Sequence, residues 1–473
     1  MNNTVVLIDL PVYPKGVVSL SLVSVANSLK KDFNVHVFDM NLFPISQLFA
    51  KVNDVLMFGL KVSSQNFEYA QKVSQQVRER YVKAKVVWGG ELPTLLPDLC
   101  LQYADTVVSG LFEPVATEFS SDLKSNSLKQ KYRSDNVGAD VCLQNFEVLP
   151  YLNSYYNFIG LPLETSRGCT ERCIFCMVHT MQKKEYKLTK VEHLRKYMSQ
   201  YKNKFINIVD YNFGINAEHV IQVASLIKES GAIGWMAEMC IELLDNDHML
   251  AALKASNCKI IYCGLESIEQ VSLNSVHKMN TNHIENYERI IRKVQSYGIQ
   301  IGAGIILGIE GTNKNTFDNL YGFYQRMGII YAKLTFLTYN PGTKAHEYVK
   351  RKGDFITNNI ADYDGNRLTY LPIGVDATIV KKGTESFIQR YYSLIAIIGR
   401  SFNTRLSFLQ RCEFVLFNLC YRNVYTNWIK YDTLNNPANM TQLIDKPFAK
   451  KATISAIEKL LFLVRILQLK AIN

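Results

Sequence analysis

The chain has 473 residues, more than one ordinary hydrophobic core holds, so two or three domains are expected. Hydrophobic residues make up 48% and charged residues 20%, which excludes a disordered chain. The net charge of +11 is uneven, with ten Lys/Arg against four Asp/Glu between 401 and 473. Such a basic tail suits an anionic surface, or simply a solvated one. No nucleic-acid partner is expected. The first residues carry no basic stretch ahead of a long apolar one, and no run of about 18 apolar residues occurs. A secretory signal and a membrane span are therefore not expected, and a cytoplasmic location is.

From residue 1 to about 125, short β-branched runs alternate with amphipathic ones. "TVVLIDL" (4–10), "NVHVFDM" (34–40), "DVLMFGL" (54–60), "KVVWGG" (85–90) and "DTVVSG" (105–110) read as strands buried on both faces. The intervening "SLVSVANSLKKD" and "NFEYAQKVSQQVRERY" have helical spacing. This predicts a doubly wound α/β domain, flavodoxin- or Rossmann-like, with its ligand crevice at the strand C-termini. Residues 126–158 are less regular and read as a linker. Over 159–345 the alternation resumes with six strands: 161–166, 205–210, 232–238, 259–266, 299–308 and 331–337. A partial (β/α)6 barrel is predicted, its chemistry at the C-terminal strand ends. Residues 346–473 read as a mainly helical C-terminal region.

Just past the first strand of this second array stand Cys169, Cys173 and Cys176, spaced C-x3-C-x2-C. Ten scattered cysteines make no disulfide scaffold, so a tight cluster points to metal binding or catalysis. With His179 the set could hold zinc, which takes four ligands. An iron–sulfur cluster held by three thiolates instead keeps one iron open to a small molecule. Cys240, Cys258 and Cys263 read as core thiols. His36 lies inside a strand.

The triad, with Phe175 before its last cysteine, resembles the radical S-adenosylmethionine superfamily. "VDYNFGINAEHV", "GLESIEQVSLNSVHKM", "GAGIILGIEGTNKNTF" and "TFLTYNPGTKAHEYV" extend the likeness to a branch with an N-terminal cobalamin-binding domain. "VVWGGELPTLLPDL" and "ADTVVSGLFEP" are similar to the last third of such a domain. The resemblance implies a 4Fe–4S cluster on Cys169, Cys173 and Cys176, its open iron binding S-adenosylmethionine. Reductive cleavage then yields a 5′-deoxyadenosyl radical that attacks an inert C–H bond. The resemblance also implies cofactor-binding roles. Asp210, Tyr211 and Asn212 would hold the methionyl end, Glu266 and Ser267 the ribose, and Gly304, Ile306 and Gly308 the adenine side. Corrin-binding surfaces would be Ser63, Ser64, Gly89, Gly90, Pro93, Thr94 and Gly110. The plainer alternative is that strand-end carboxylates cap helices and the glycines ease packing.

Four departures stand out. Cys240 replaces an arginine frequent in the branch, Gly311 replaces a glutamate, and no D-x-H-x-x-G motif supplies an axial histidine. Leu111 and Phe112 are bulky where relatives carry a glycine turn, which bears on the shape of the corrin pocket. The leading expectation is a cobalamin-dependent C-methyltransferase acting on an unactivated carbon of a natural product, peptide or lipid. An oxidative cyclase or rearrangement enzyme with a silent cobalamin domain is the alternative, and a zinc-stabilised binding protein a remote one. No catalytic side chain is assigned. A flavodoxin- or ferredoxin-type reductant is implied. The basic helix "FAKKATISAIEKLLFLVRILQLK" could touch a membrane surface peripherally, or pack on the barrel.

Overall fold

The computed structural model describes residues 3–12, 18–134, 144–149, 152, 160–182, 185–278, 282–350, 355–404 and 406–430. The basic helix expected over 448–470 and about half of the predicted linker lie outside the described residues.

Six strands form the first sheet: β1 (Thr4–Asp9), β2 (Asn34–Asp39), β3 (Met57–Lys61), β4 (Lys85–Gly89), β5 (Thr106–Ser109) and β6 (Lys131–Arg133). Their order is β2-β1-β3-β4-β5-β6, and every pairing is parallel. This is the doubly wound arrangement, with its crevice where the chain crosses between β1 and β3. Alternation splits the core: Val6, Ile8, Phe58, Leu60, Val86 and Trp88 pack on one face, Val5, Leu7, Met57, Val87 and Val108 on the other. β6 falls in the stretch read as linker; its three residues, two of them exposed lysine and arginine, carry no apolar run.

The second sheet comprises β7 (Leu161–Leu163), β10 (Phe205–Ile208), β11 (Gly234–Glu238), β12 (Cys258–Glu266), β13 (Gln300–Leu307) and β14 (Ala332–Phe336). These pair in chain order, all parallel, and β7 and β14 remain edges. Between β7 and β10 lies an antiparallel ribbon absent from the sequence reading, β8 (Ser166–Gly168) with β9 (Tyr186–Leu188). Trp235, Ile261, Cys263, Ile301, Ala303 and Leu334 join the core beneath the helices, where Cys258 and Cys263 are buried as expected.

The opposite, inner face carries Tyr262, Gly302 and Gly304. Ile260 and Tyr262 there meet Tyr331, Leu406 and Phe414, so the helix Phe408–Lys430 closes the N-terminal end of the barrel as a floor. Tyr331 stacks on Tyr421 at 4.8 Å. A β-carbon at Gly302 would collide with the Tyr331 ring, and one at Gly304 with the Tyr262 hydroxyl. The glycines therefore make room for two tyrosines crossing the barrel. Among the described residues no helix is long and apolar enough to cross a membrane.

Gly304→Ala is expected to cost about 1–3 kcal/mol by overpacking, and Tyr262→Leu in the same chain to restore part of it. Thermal denaturation of the single and double variants checks this.

Candidate cofactor site

The cysteine triad is presented by a braced turn. Asp210, past β10 and buried, accepts from the Thr165 amide at 2.7 Å, the Thr165 hydroxyl at 2.6 Å and the Ser166 hydroxyl at 2.6 Å. Its carboxylate thereby fixes the junction of β7 and β8. Gly168 ends β8 at φ +85°, where a β-carbon would run into the Glu185 carbonyl oxygen; only glycine fits here. The β8–β9 ribbon thus closes the base of the loop holding Cys169, Cys173 and Cys176. Ile174 and Phe175 pack against Ile306, Leu337 and Tyr339, sealing one side of the thiols.

Burial pushes the Cys173 and Cys176 thiols up to about 11, and raises Cys169 as well. A buried thiol ionises only when a cation accompanies it, which is what a bound metal cluster provides. Among the described residues, no three His, Cys, Asp or Glu side chains converge tightly enough to hold one metal ion. Three thiolates are one fewer than a four-iron cluster takes, a set that leaves one iron open to a small molecule.

The predicted cofactor residues divide into two groups. Asn212 accepts from the Cys240 amide at 3.0 Å and donates to the Cys240 thiol at 3.2 Å. It and Asp210 thus brace the chain itself. Tyr211, between them, is 42% exposed and open. Glu266 ends β12 in the left-handed region (φ +60°), after a register shift at Gly264. Its carboxylate lies 3.8 Å from the Lys278 ammonium, and burial raises its pKa against the pull of that lysine. Ser267 accepts from the Glu269 amide at 3.0 Å. Ile306 sits beside the cysteine loop, Gly304 under Tyr262, and Gly308 (φ +74°) against Leu368. Lys278, buried beside Glu266 and close enough to influence all three thiols, escaped the sequence reading. Nothing in "SVHKM" distinguishes it from a surface lysine.

On the other side of the loop, a cavity of about 500 Å³ runs from the C-terminal edge of the first sheet to the barrel. Gly59, Gly89, Gly90 and Gly110 line it from the first domain, and Glu164, Arg167 and Tyr211 from the second. Gly110 (φ +82°) approaches the Ser134 carbonyl too closely for any β-carbon. The volume and the bare glycine walls fit a large planar ligand such as a corrin. Phe112 lines the cavity but turns its ring onto Phe119 at 5.2 Å, so the bulky turn leaves the space open. Ser63, Ser64, Pro93 and Thr94 are not in the lining. Thr94 accepts from the Gly110 amide at 2.9 Å and donates to the Gly90 carbonyl at 2.7 Å, while the Pro93 carbonyl accepts from Ser109. Ser63 and Asn66 cap a short helical turn, Ser64–Asn66. These residues stand behind the rim of the cavity and hold its shape.

One ion cluster joins the two halves. The Arg167 guanidinium donates to Glu113 at 2.8 Å and to Glu164 at 2.8 Å. Glu113 also accepts from Ser24 at 2.7 Å. Arg167 and its hydrogen bonds hold Glu113 below the usual carboxylate range despite burial. Arg167 lies two residues before Cys169, and Glu113 three after Gly110. The strand leading to the cluster loop is therefore tied to the rim of the corrin-sized cavity.

Residues 163–324 match the radical SAM superfamily and residues 12–120 the B12 binding domain. The bacteriochlorophyllide d C-8(2)-methyltransferase of Chlorobaculum tepidum is 24% identical over 68% of this chain and 74% of its own length. The radical S-adenosylmethionine methyltransferase TsrM from Kitasatospora setae, solved with cobalamin and a 4Fe–4S cluster, superposes with a TM-score of 0.63 at 14% identity. That alignment covers 90% of this chain and all of that one. The cobalamin-dependent S-adenosylmethionine radical enzyme OxsB gives a TM-score of 0.65 at 15% identity, over 99% of this chain and 81% of that one. At these identities the structural likenesses establish the fold.

Replacing Arg167 by Met strands two largely buried carboxylates and is expected to cost ~3 kcal/mol, read as a lowered thermal midpoint. Arg167→Lys restores only part, because one ammonium cannot reproduce the fork. Asp210→Asn is expected to cost about 1–3 kcal/mol and to lower the iron bound per chain after reconstitution.

Proposed function

Because this chain belongs to the radical S-adenosylmethionine superfamily, in the branch with an N-terminal B12-binding domain, we propose that it is a cobalamin-dependent methyltransferase. It would act on an unactivated carbon of a small molecule and draw electrons from an external reductant. The observation that carries this reading is the shared wall: Glu164, Arg167 and Tyr211 face the glycine-walled cavity on one side and adjoin the cysteine loop on the other. Enzymes that use two cofactors on one substrate need their sites to meet. The methyltransferase name of the Chlorobaculum tepidum relative supports the same chemistry.

Cys169, Cys173 and Cys176 would hold the cluster, and the Gly59, Gly89, Gly90 and Gly110 surface the corrin. Bound there, these groups supply one-electron cleavage of the S-adenosylmethionine sulfonium and delivery of a methyl group. The chain's own work is placement. Asp210 and Gly168 fix the cysteine loop, Arg167 and Glu113 fix its distance from the corrin side, and Phe175 with Ile306 sets an apolar wall beside it. Tyr211, whose side chain lines the cavity, offers a hydrogen-bond donor at the junction. Lys278 supplies a positive charge beside the thiolates.

The test is anaerobic incubation of the reconstituted enzyme and dithionite with host-cell extract and S-adenosylmethionine labelled in its methyl carbon. Wild type should form 5′-deoxyadenosine and move label into a small molecule. Cys173→Ala should do neither, with loss of at least ~100-fold in either product, the scale expected when a group central to the chemistry is removed. Deoxyadenosine without transferred label would turn the reading to rearrangement or cyclisation.

A further inference from the structure

Deeper in the barrel than the cysteine loop, the inner face holds two charges that neither the cluster nor the corrin cavity uses. Glu238 ends β11 and Lys333 lies on β14. In register, Glu238 faces Tyr262 and Lys333 faces Gly304. Both side chains are exposed although their strand neighbours Ala237, Met239, Ala332 and Leu334 are buried. They therefore open into the interior of the barrel rather than onto its outside.

Between them lies Tyr262. The Lys333 ammonium sits over the Tyr262 ring, 5.5 Å from its centroid, and Tyr262 stacks on Tyr331 at 5.8 Å above the floor helix. The other charged pair on this face, Glu266 with Lys278, is already matched. Among the described residues neither Glu238 nor Lys333 forms an ion pair or hydrogen bond. One carboxylate and one ammonium thus face the barrel interior on either side of an aromatic ring, their hydrogen-bonding capacity open to a ligand.

Resting on the methyltransferase reading, we propose that Glu238, Tyr262 and Lys333 anchor a zwitterionic small-molecule substrate. Its carboxylate or phosphate meets Lys333 and its amine meets Glu238. A hydrocarbon lipid would leave both charges stranded.

The experiment is ligand-observed NMR on the reconstituted enzyme with S-adenosylmethionine bound and no reductant. Fragments come in four groups: zwitterionic, anionic, cationic and uncharged. Zwitterions are expected to bind best to wild type, and at least tenfold more weakly to Glu238→Gln and to Lys333→Met, with Lys333→Arg retaining binding. Anionic fragments should respond to Lys333→Met alone and cationic ones to Glu238→Gln alone. The assignment is overturned if zwitterions bind no better than uncharged fragments, or if both variants bind them as wild type does. It is also overturned if the variants lose S-adenosylmethionine itself, which would place the pair in the cofactor site. Absence of labelled-methyl transfer in the preceding assay would defeat the methyltransferase reading while leaving this binding pattern intact.

Discussion

The two halves of this chain can cooperate only if they are held in one relation, and the described contact that does so most directly is Arg167. Its guanidinium bonds one carboxylate from each half, Glu113 at the rim of the first domain and Glu164 beside the cysteine loop. The geometry suits arginine, whose planar fork satisfies two acceptors at once. A buried cluster of this kind adds little net stability compared with apolar packing, but it tolerates few alternative arrangements. What it provides is registry. With Arg167 two residues before Cys169, any slip between the domains would also displace the cluster loop.

Around that joint the barrel keeps unlike surfaces apart. Toward the cysteines, Ile174, Phe175 and Ile306 make a dry wall. Farther in, Glu238 and Lys333 make a polar one, and below them tyrosines and the Phe408–Lys430 helix close the floor. A radical needs such partition: apolar contacts deny it water, while the polar groups fix the molecule it is to attack. The glycines of β13 make this possible, since without Gly302 and Gly304 the tyrosine floor could not form.

Much of this was legible in the sequence. Both sheets follow from apolar runs of strand length separated by helical spacing, and the C-x3-C-x2-C loop stands where a barrel places its chemistry. β6 and the β8–β9 ribbon were not legible, because three-residue strands carry no periodicity. Roles were harder still. Asp210 and Asn212 occupy strand-end positions that suit ligand contact, yet their hydrogen bonds run to Thr165, Ser166 and Cys240. Gly304 reads as an adenine neighbour, yet Tyr262 fills the space over it. Arg167, Lys278, Glu238 and Lys333 went unnoticed, since a charged residue inside a barrel looks in sequence like one on a surface. Only the fold shows which charges are enclosed.

The central claim is that one chain brings an iron–sulfur cluster and a corrin to a common wall. Its most direct test is elemental analysis after anaerobic reconstitution with iron, sulfide and hydroxocobalamin. About four irons and about one cobalt per chain are expected, with the iron lost in Cys173→Ala. Zinc in place of iron, or four irons with no cobalt retained, would contradict the account.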